Sequence, residues 1–113
     1  MANGISAPYL MTVEETTSWI FLAIAIGSQV DPISFTDISS IADGINHAIP
    51  THKELQISIS WLTNNKLIAK SKNRYSLTSS GELIYRNASI DVNTIINIWR
   101  NIEHSFVNYK AEL

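Results

Sequence analysis

The sequence has no cysteine among its 113 residues, which excludes disulfides, thiol nucleophiles and cysteine-ligated zinc. Charge is scarce as well: Asp, Glu, Lys and Arg make up 16% of the chain, against about 25% in an average globular domain. Surface polarity must therefore come mainly from Ser, Thr and Asn. Four glycines and three prolines exclude collagen-like and low-complexity chains. The longest apolar run, Trp19 to Ile26, is eight residues, and a membrane helix needs about 20. No Lys or Arg precedes Lys53, while Glu14 and Glu15 stand before that run, so it does not read as a secretory leader either. A soluble, cytoplasmic protein without membrane association is expected.

Signals for catalysis are equally sparse. His47, His52 and His104 lie far apart in sequence, without an obvious carboxylate partner. Asp31, Asp37 and Asp43 are spaced by six, which does not align them on one helical face. No phosphate-loop or dinucleotide glycine pattern occurs. No enzyme activity, cofactor or metal is expected, and His47 reads as a turn or capping residue.

What is present is a patterned 45% of hydrophobic residues, enough for one core in one domain. Residues 1–11, with Gly4 and Pro8, read as an N-terminal arm. Thr12-Val13-Glu14-Glu15 is a capping box that opens a helix to about Ile26, with Gly27 as a stop. That helix is apolar on most sides, so it should be surrounded by other elements. Asp31-Pro32 breaks the chain, and Ile33 suits a short strand. Ser34, with Asp37 three residues on, caps a helix carrying Phe35, Ile38, Ile41, Ala42 and Ile45 at spacings of three and four. Gly44 and Asn46 mark its end.

Thr51-His52-Lys53-Glu54 is a second capping box. It opens a helix with Leu55, Ile59 and Leu62 on one face that runs to about Asn64 or Asn65. Two β-prone runs, Leu67 to Lys70 and Arg74 to Leu77, flank the polar turn Ser71-Lys72-Asn73 and read as a hairpin. Thr78 caps a further helix. A last helix is expected from Asp91, with Ile95, Trp99, Ile102, Phe106 and Tyr109 repeating at four, three, four and three as a heptad seam.

In this order, Ser34 to Ala42, Thr51 to Leu62, Asn65-Lys66-Leu67-Ile68 and Tyr75-Ser76-Leu77-Thr78 with Gly81 resemble a winged helix-turn-helix domain. The last piece is similar to the wing end of multiple-antibiotic-resistance-type (MarR) and phenolic-acid-type (PadR) transcriptional regulators. There a strand ending in Leu-Thr runs into a helix with Gly three residues later. Asn64-Asn65 stands where such regulators carry Gly, and Asn tolerates left-handed backbone. The resemblance implies a mainly α fold with a small β-hairpin wing over residues 12–89. Residues 90–113 would add a C-terminal helix that serves dimerisation. It also implies binding of double-stranded DNA as a homodimer, with two recognition helices about one DNA turn apart.

The net charge of −2 appears unfavourable to that partner, but its distribution is not. Residues 51–74 hold Lys53, Lys66, Lys70, Lys72 and Arg74 against Glu54 alone, a balance of +4. The remainder, with three basic and nine acidic residues, carries −6. On a recognition helix entering a major groove, Thr51, His52, Lys53, Gln56 and Ser60 would face the bases. Lys70, Lys72 and Arg74 would hold phosphates from the wing. Two alternatives remain. Ile57 and Trp61, four apart and off the core stripe, could serve a protein-interaction module. Trp19, Trp61 and Trp99 could line a pocket for a small-molecule effector, although they read more simply as core or interface anchors. The heptad seam of Ile95, Trp99, Ile102, Phe106 and Tyr109 could pack on the first helix within one chain. The expectation is that it pairs with its copy in a two-fold dimer.

Overall fold

Thr12 opens the first helix with both halves of its capping box: its hydroxyl accepts from the Glu15 N–H at 3.0 Å, and its own N–H donates to the Glu15 carboxylate at 2.8 Å. In the computed structural model, which describes residues 11–111 with side chains through Tyr109, this helix is α1, Val13–Gly27. Every residue from Thr16 to Ala25 is buried, as an all-round apolar helix requires. Helices α2 (Phe35–Asn46), α3 (His52–Asn64) and α5 (Ile95–Ala111) pack against it. Each fully buried Ile, Leu or Phe contributes about 1.5–3 kcal/mol, so α1 is the main source of core stability. Gly27 is the last residue of α1 rather than a left-handed stop. A Cβ there would run into the side chains of Ile33 and Ile41, so this glycine permits close packing of α1 against the start of the α2 region.

The chain is mainly helical with one small antiparallel sheet. Strand β1 is Ile33–Ser34, β2 is Ile68–Ser71 and β3 is Arg74–Leu77, in the order β1-β3-β2. Ile33 pairs with Tyr75, while Lys70 faces Tyr75 and Ser71 faces Arg74 across the hairpin. The hairpin turn has two residues, not the three expected. Lys72 and Asn73 both adopt positive φ, 51° and 64°, the backbone that matches the right-handed strand twist.

Ser34 and Thr51 cap α2 and α3 as their sequences predict. His47 is the left-handed C-cap of α2, with φ 55°. The end of α3 differs from expectation. Asn65 has φ −91°, and Lys66 is the left-handed residue, with φ 60°. The Leu67 N–H bonds to the Leu62 carbonyl at 2.9 Å and the Lys66 N–H to the Thr63 carbonyl at 3.0 Å. This is a Schellman ending with a lysine where glycine is usual.

Helix α4 is Ser79–Ser89, capped by Thr78. A Cβ on Gly81 would collide with the Leu67 carbonyl, so that glycine lets α4 approach the hairpin. The last helix starts four residues later than Asp91. Asp91 is itself left-handed, with φ 58°, and closes the turn after α4. Thr94 opens α5 instead, its hydroxyl accepting from the Asn97 N–H.

The heptad seam lies inside the chain. Phe106 meets Phe21 edge-on, with ring centroids 5.2 Å apart, and Ile102 and Phe106 are fully buried. The Trp99 ring stacks on Trp19, and its N–H donates to the Glu15 carbonyl and the Ser18 hydroxyl. Tyr109 packs against Trp61. Ile95, Trp99, Ile102, Phe106 and Tyr109 are the residues expected at a dimer face. Four of the five pack within one chain, because α1 needs α5 to cover its remaining side, and only Ile95 stands exposed. No helix among the described residues is long and apolar enough to cross a membrane. The arm expected over residues 1–11 lies outside the described residues except for Met11.

Candidate functional site

The side chains with chemical potential gather where α3 passes the β2–β3 hairpin. Leu55, Ile59 and Leu62 hold α3 to the core by one face. The helical repeat then turns His52, Gln56, Ser60 and Asn64, each four residues from the last, to the side of the hairpin. Across the gap stand Lys70 of β2 and Tyr75 of β3, facing partners in the ladder. Together they line an open groove of about 650 Å³. Phe35 of α2 lines it as well, its ring 5.7 Å from that of His52. The Lys70 ammonium lies 5.9 Å from the centre of the Tyr75 ring. A cation over an aromatic face is weakly held, which leaves Lys70 able to meet an anion.

Of the eight residues expected to contact a polynucleotide, His52, Gln56, Ser60 and Lys70 share this groove. The other four do not. The Thr51 hydroxyl serves the α3 capping box, accepting from the Glu54 N–H at 3.0 Å. Lys53, one position round the helix from His52, lines a different concavity between α1 and α3. Lys72 sits exposed on the hairpin turn. Arg74 is exposed too, and its guanidinium donates to the Pro32 carbonyl at 3.3 Å, which ties β3 to the approach to β1.

Phe35, Thr63, Asn64 and Tyr75 also line the groove and were not singled out from sequence. Asn64 was accessible: it continues the stripe of His52, Gln56 and Ser60 at spacing four. Phe35 belongs by sequence to the α2 stripe and Tyr75 to the hairpin, and their approach to α3 depends on the tertiary fold.

The three tryptophans do not surround a common cavity. The Trp19 N–H donates to the Ala42 carbonyl at 2.8 Å, and that of Trp99 is taken up by α1. Trp61 packs against Phe106 and Tyr109, with centroids at 5.2 and 6.2 Å. All three anchor helices to one another. Ile57, by contrast, is 49% exposed. The Glu103 carboxyl departs from its ordinary behaviour. Partial burial, then repulsion from Glu15, raises Glu103, while His104 and Arg100 act the other way.

Comparison with protein-family models, with curated proteins and with solved structures returns no match.

Proposed function

We propose that this chain is a winged helix-turn-helix DNA-binding protein that acts in transcriptional regulation, with α3 as recognition helix and the β2–β3 hairpin as wing. The observation that carries the reading is the groove in which His52, Gln56, Ser60 and Asn64 of α3 face Lys70 of the hairpin. Gln and Asn side chains bond adenine edges bidentately, and lysine neutralises phosphate.

Backbone conformation supports it independently. Two exposed residues of the α3–hairpin segment, Lys66 and Lys72, are left-handed lysines. A non-glycine residue there costs about 1 kcal/mol or more relative to glycine. Lysine at both positions supplies two of the five cations in the segment that carries +4. The alternative, a protein-interaction module using Ile57 and Trp61, loses support because Trp61 packs on α5 and Ile57 stands without it.

Selection of binding sites from a random duplex pool tests the proposal. Enrichment of a defined sequence is expected, with binding weakened in a Lys70→Ala/Lys72→Ala/Arg74→Ala variant that still folds. No duplex binding at low salt contradicts it.

A further inference from the structure

The hairpin leaves α3 through a junction of three residues, Asn65, Lys66 and Leu67. Its direction relative to the helix depends on the backbone dihedrals there. Lys66, with φ 60°, is where the chain turns. The peptide unit that follows it is held at both edges. Its N–H, that of Leu67, donates to the Leu62 carbonyl of α3 at 2.9 Å. Its carbonyl, that of Lys66, accepts from the Thr78 hydroxyl at 2.6 Å. The next carbonyl, that of Leu67, accepts from the Thr78 N–H at 3.1 Å. Thr78 follows β3 directly, so a single residue ties the exit of α3 to both ends of the hairpin. A longer contact, 3.4 Å from the Tyr109 hydroxyl to the Asn65 carbonyl, braces the preceding unit from α5.

Thr78 is also the N-cap of α4, where its hydroxyl accepts from the Gly81 N–H at 3.1 Å. Capping needs only an acceptor, and Asp caps at least as well as Thr. A carboxylate cannot donate, whereas a hydroxyl both accepts and donates. The bond to the Lys66 carbonyl is therefore a second role that capping does not require. We infer that Thr78 is a positioning residue of the α3–hairpin groove. By holding the Lys66 carbonyl it fixes the angle at which the hairpin leaves the helix. That angle sets the placement of Lys70 across from His52, Gln56 and Ser60. Rotation of the hairpin about Lys66 turns this carbonyl away from Thr78 and widens the groove. The consequence for binding rests on the reading of the groove as a face for DNA; the clamp itself does not.

The test separates the two roles of the hydroxyl by amide hydrogen exchange on the full chain. Thr78→Asp keeps the acceptor and loses the donor. Its Gly81 amide should stay as protected as in the unmodified chain, while the Lys66 and Leu67 amides exchange about fivefold faster, the loss of one hydrogen bond. Thr78→Ser should restore all three. Duplex binding is the second arm, with Ser79→Asp as a control that adds the same charge one residue on, at an exposed position. Thr78→Asp should bind about fivefold more weakly than Ser79→Asp, and Thr78→Ser as tightly as the unmodified chain. Unchanged exchange at Lys66 and Leu67 in Thr78→Asp, equal acceleration there and at Gly81, or equal duplex affinity of the two Asp variants would overturn the inference. If the unmodified chain binds no duplex, the DNA reading fails, and the exchange arm alone decides the clamp.

Discussion

The two flanks of α3 are built on opposite plans. On the hairpin side the helix presents polar side chains at every fourth position, and the facing strands add a lysine over an aromatic ring. On the side of α1 and α5, Leu55 and Leu62 are buried and Trp61 packs against Phe106. One flank supplies stability and little chemistry; the other supplies chemistry and little stability. Substitutions on the two flanks should therefore change different measurements.

The largest expected effect is on the packed flank. Phe106 touches Phe21 and Trp61 and is fully buried. Phe106→Ala should cost about 3–5 kcal/mol of unfolding free energy in denaturant titration. If that variant keeps its stability but its mass falls by half in light scattering, α5 is a subunit interface after all. Next in size is the cap of α3. Thr51→Ala should lose about 1 kcal/mol, while Thr51→Ser restores it. An equal loss of DNA binding in both variants, with stability intact in Thr51→Ser, would instead return Thr51 to base contact.

Lys66→Gly should raise stability by about 0.5–1 kcal/mol, since glycine relieves the left-handed backbone, while weakening any polynucleotide binding. Gain in one property and loss in the other is the signature of a residue retained for its charge. The smallest effect concerns Glu103. Its carboxyl is raised in the folded protein, so the folded state binds more protons than the unfolded one just above the ordinary carboxylate range. Stability falls as pH rises through that window. Glu103→Gln should raise the melting temperature slightly at neutral pH, and the gain should vanish well below that range.

Much of this architecture was legible in the residues because local chemistry and tertiary packing agree. Two capping boxes and the Ser34 cap put the starts of α1, α3 and α2 at Val13, His52 and Phe35, and the all-round apolar character of α1 foretold its burial. What could not be read was set by partners distant in sequence. A heptad pattern states that Ile102 and Phe106 need a cover, not whether that cover is α1 of the same chain or a second copy. Likewise, Lys66 rather than Asn65 takes the left-handed position because hydrogen bonds from Leu67 and Lys66 back to Leu62 and Thr63 fix where the turn falls. At the site, the stripe of His52, Gln56 and Ser60 was visible as helical periodicity. The exclusion of Thr51 and Lys53 from the groove required the orientation of α3 against the hairpin.

The proposed role of the polar flank of α3 and its hairpin as a face for DNA stands or falls on the salt dependence of duplex binding. Affinity measured across a range of salt concentrations should fall steeply and linearly on a log–log plot. The Lys70→Ala/Lys72→Ala/Arg74→Ala variant should give a slope shallower by about 3, roughly one unit for each phosphate contact removed. A slope near zero, or one unchanged in the variant, would contradict the claim.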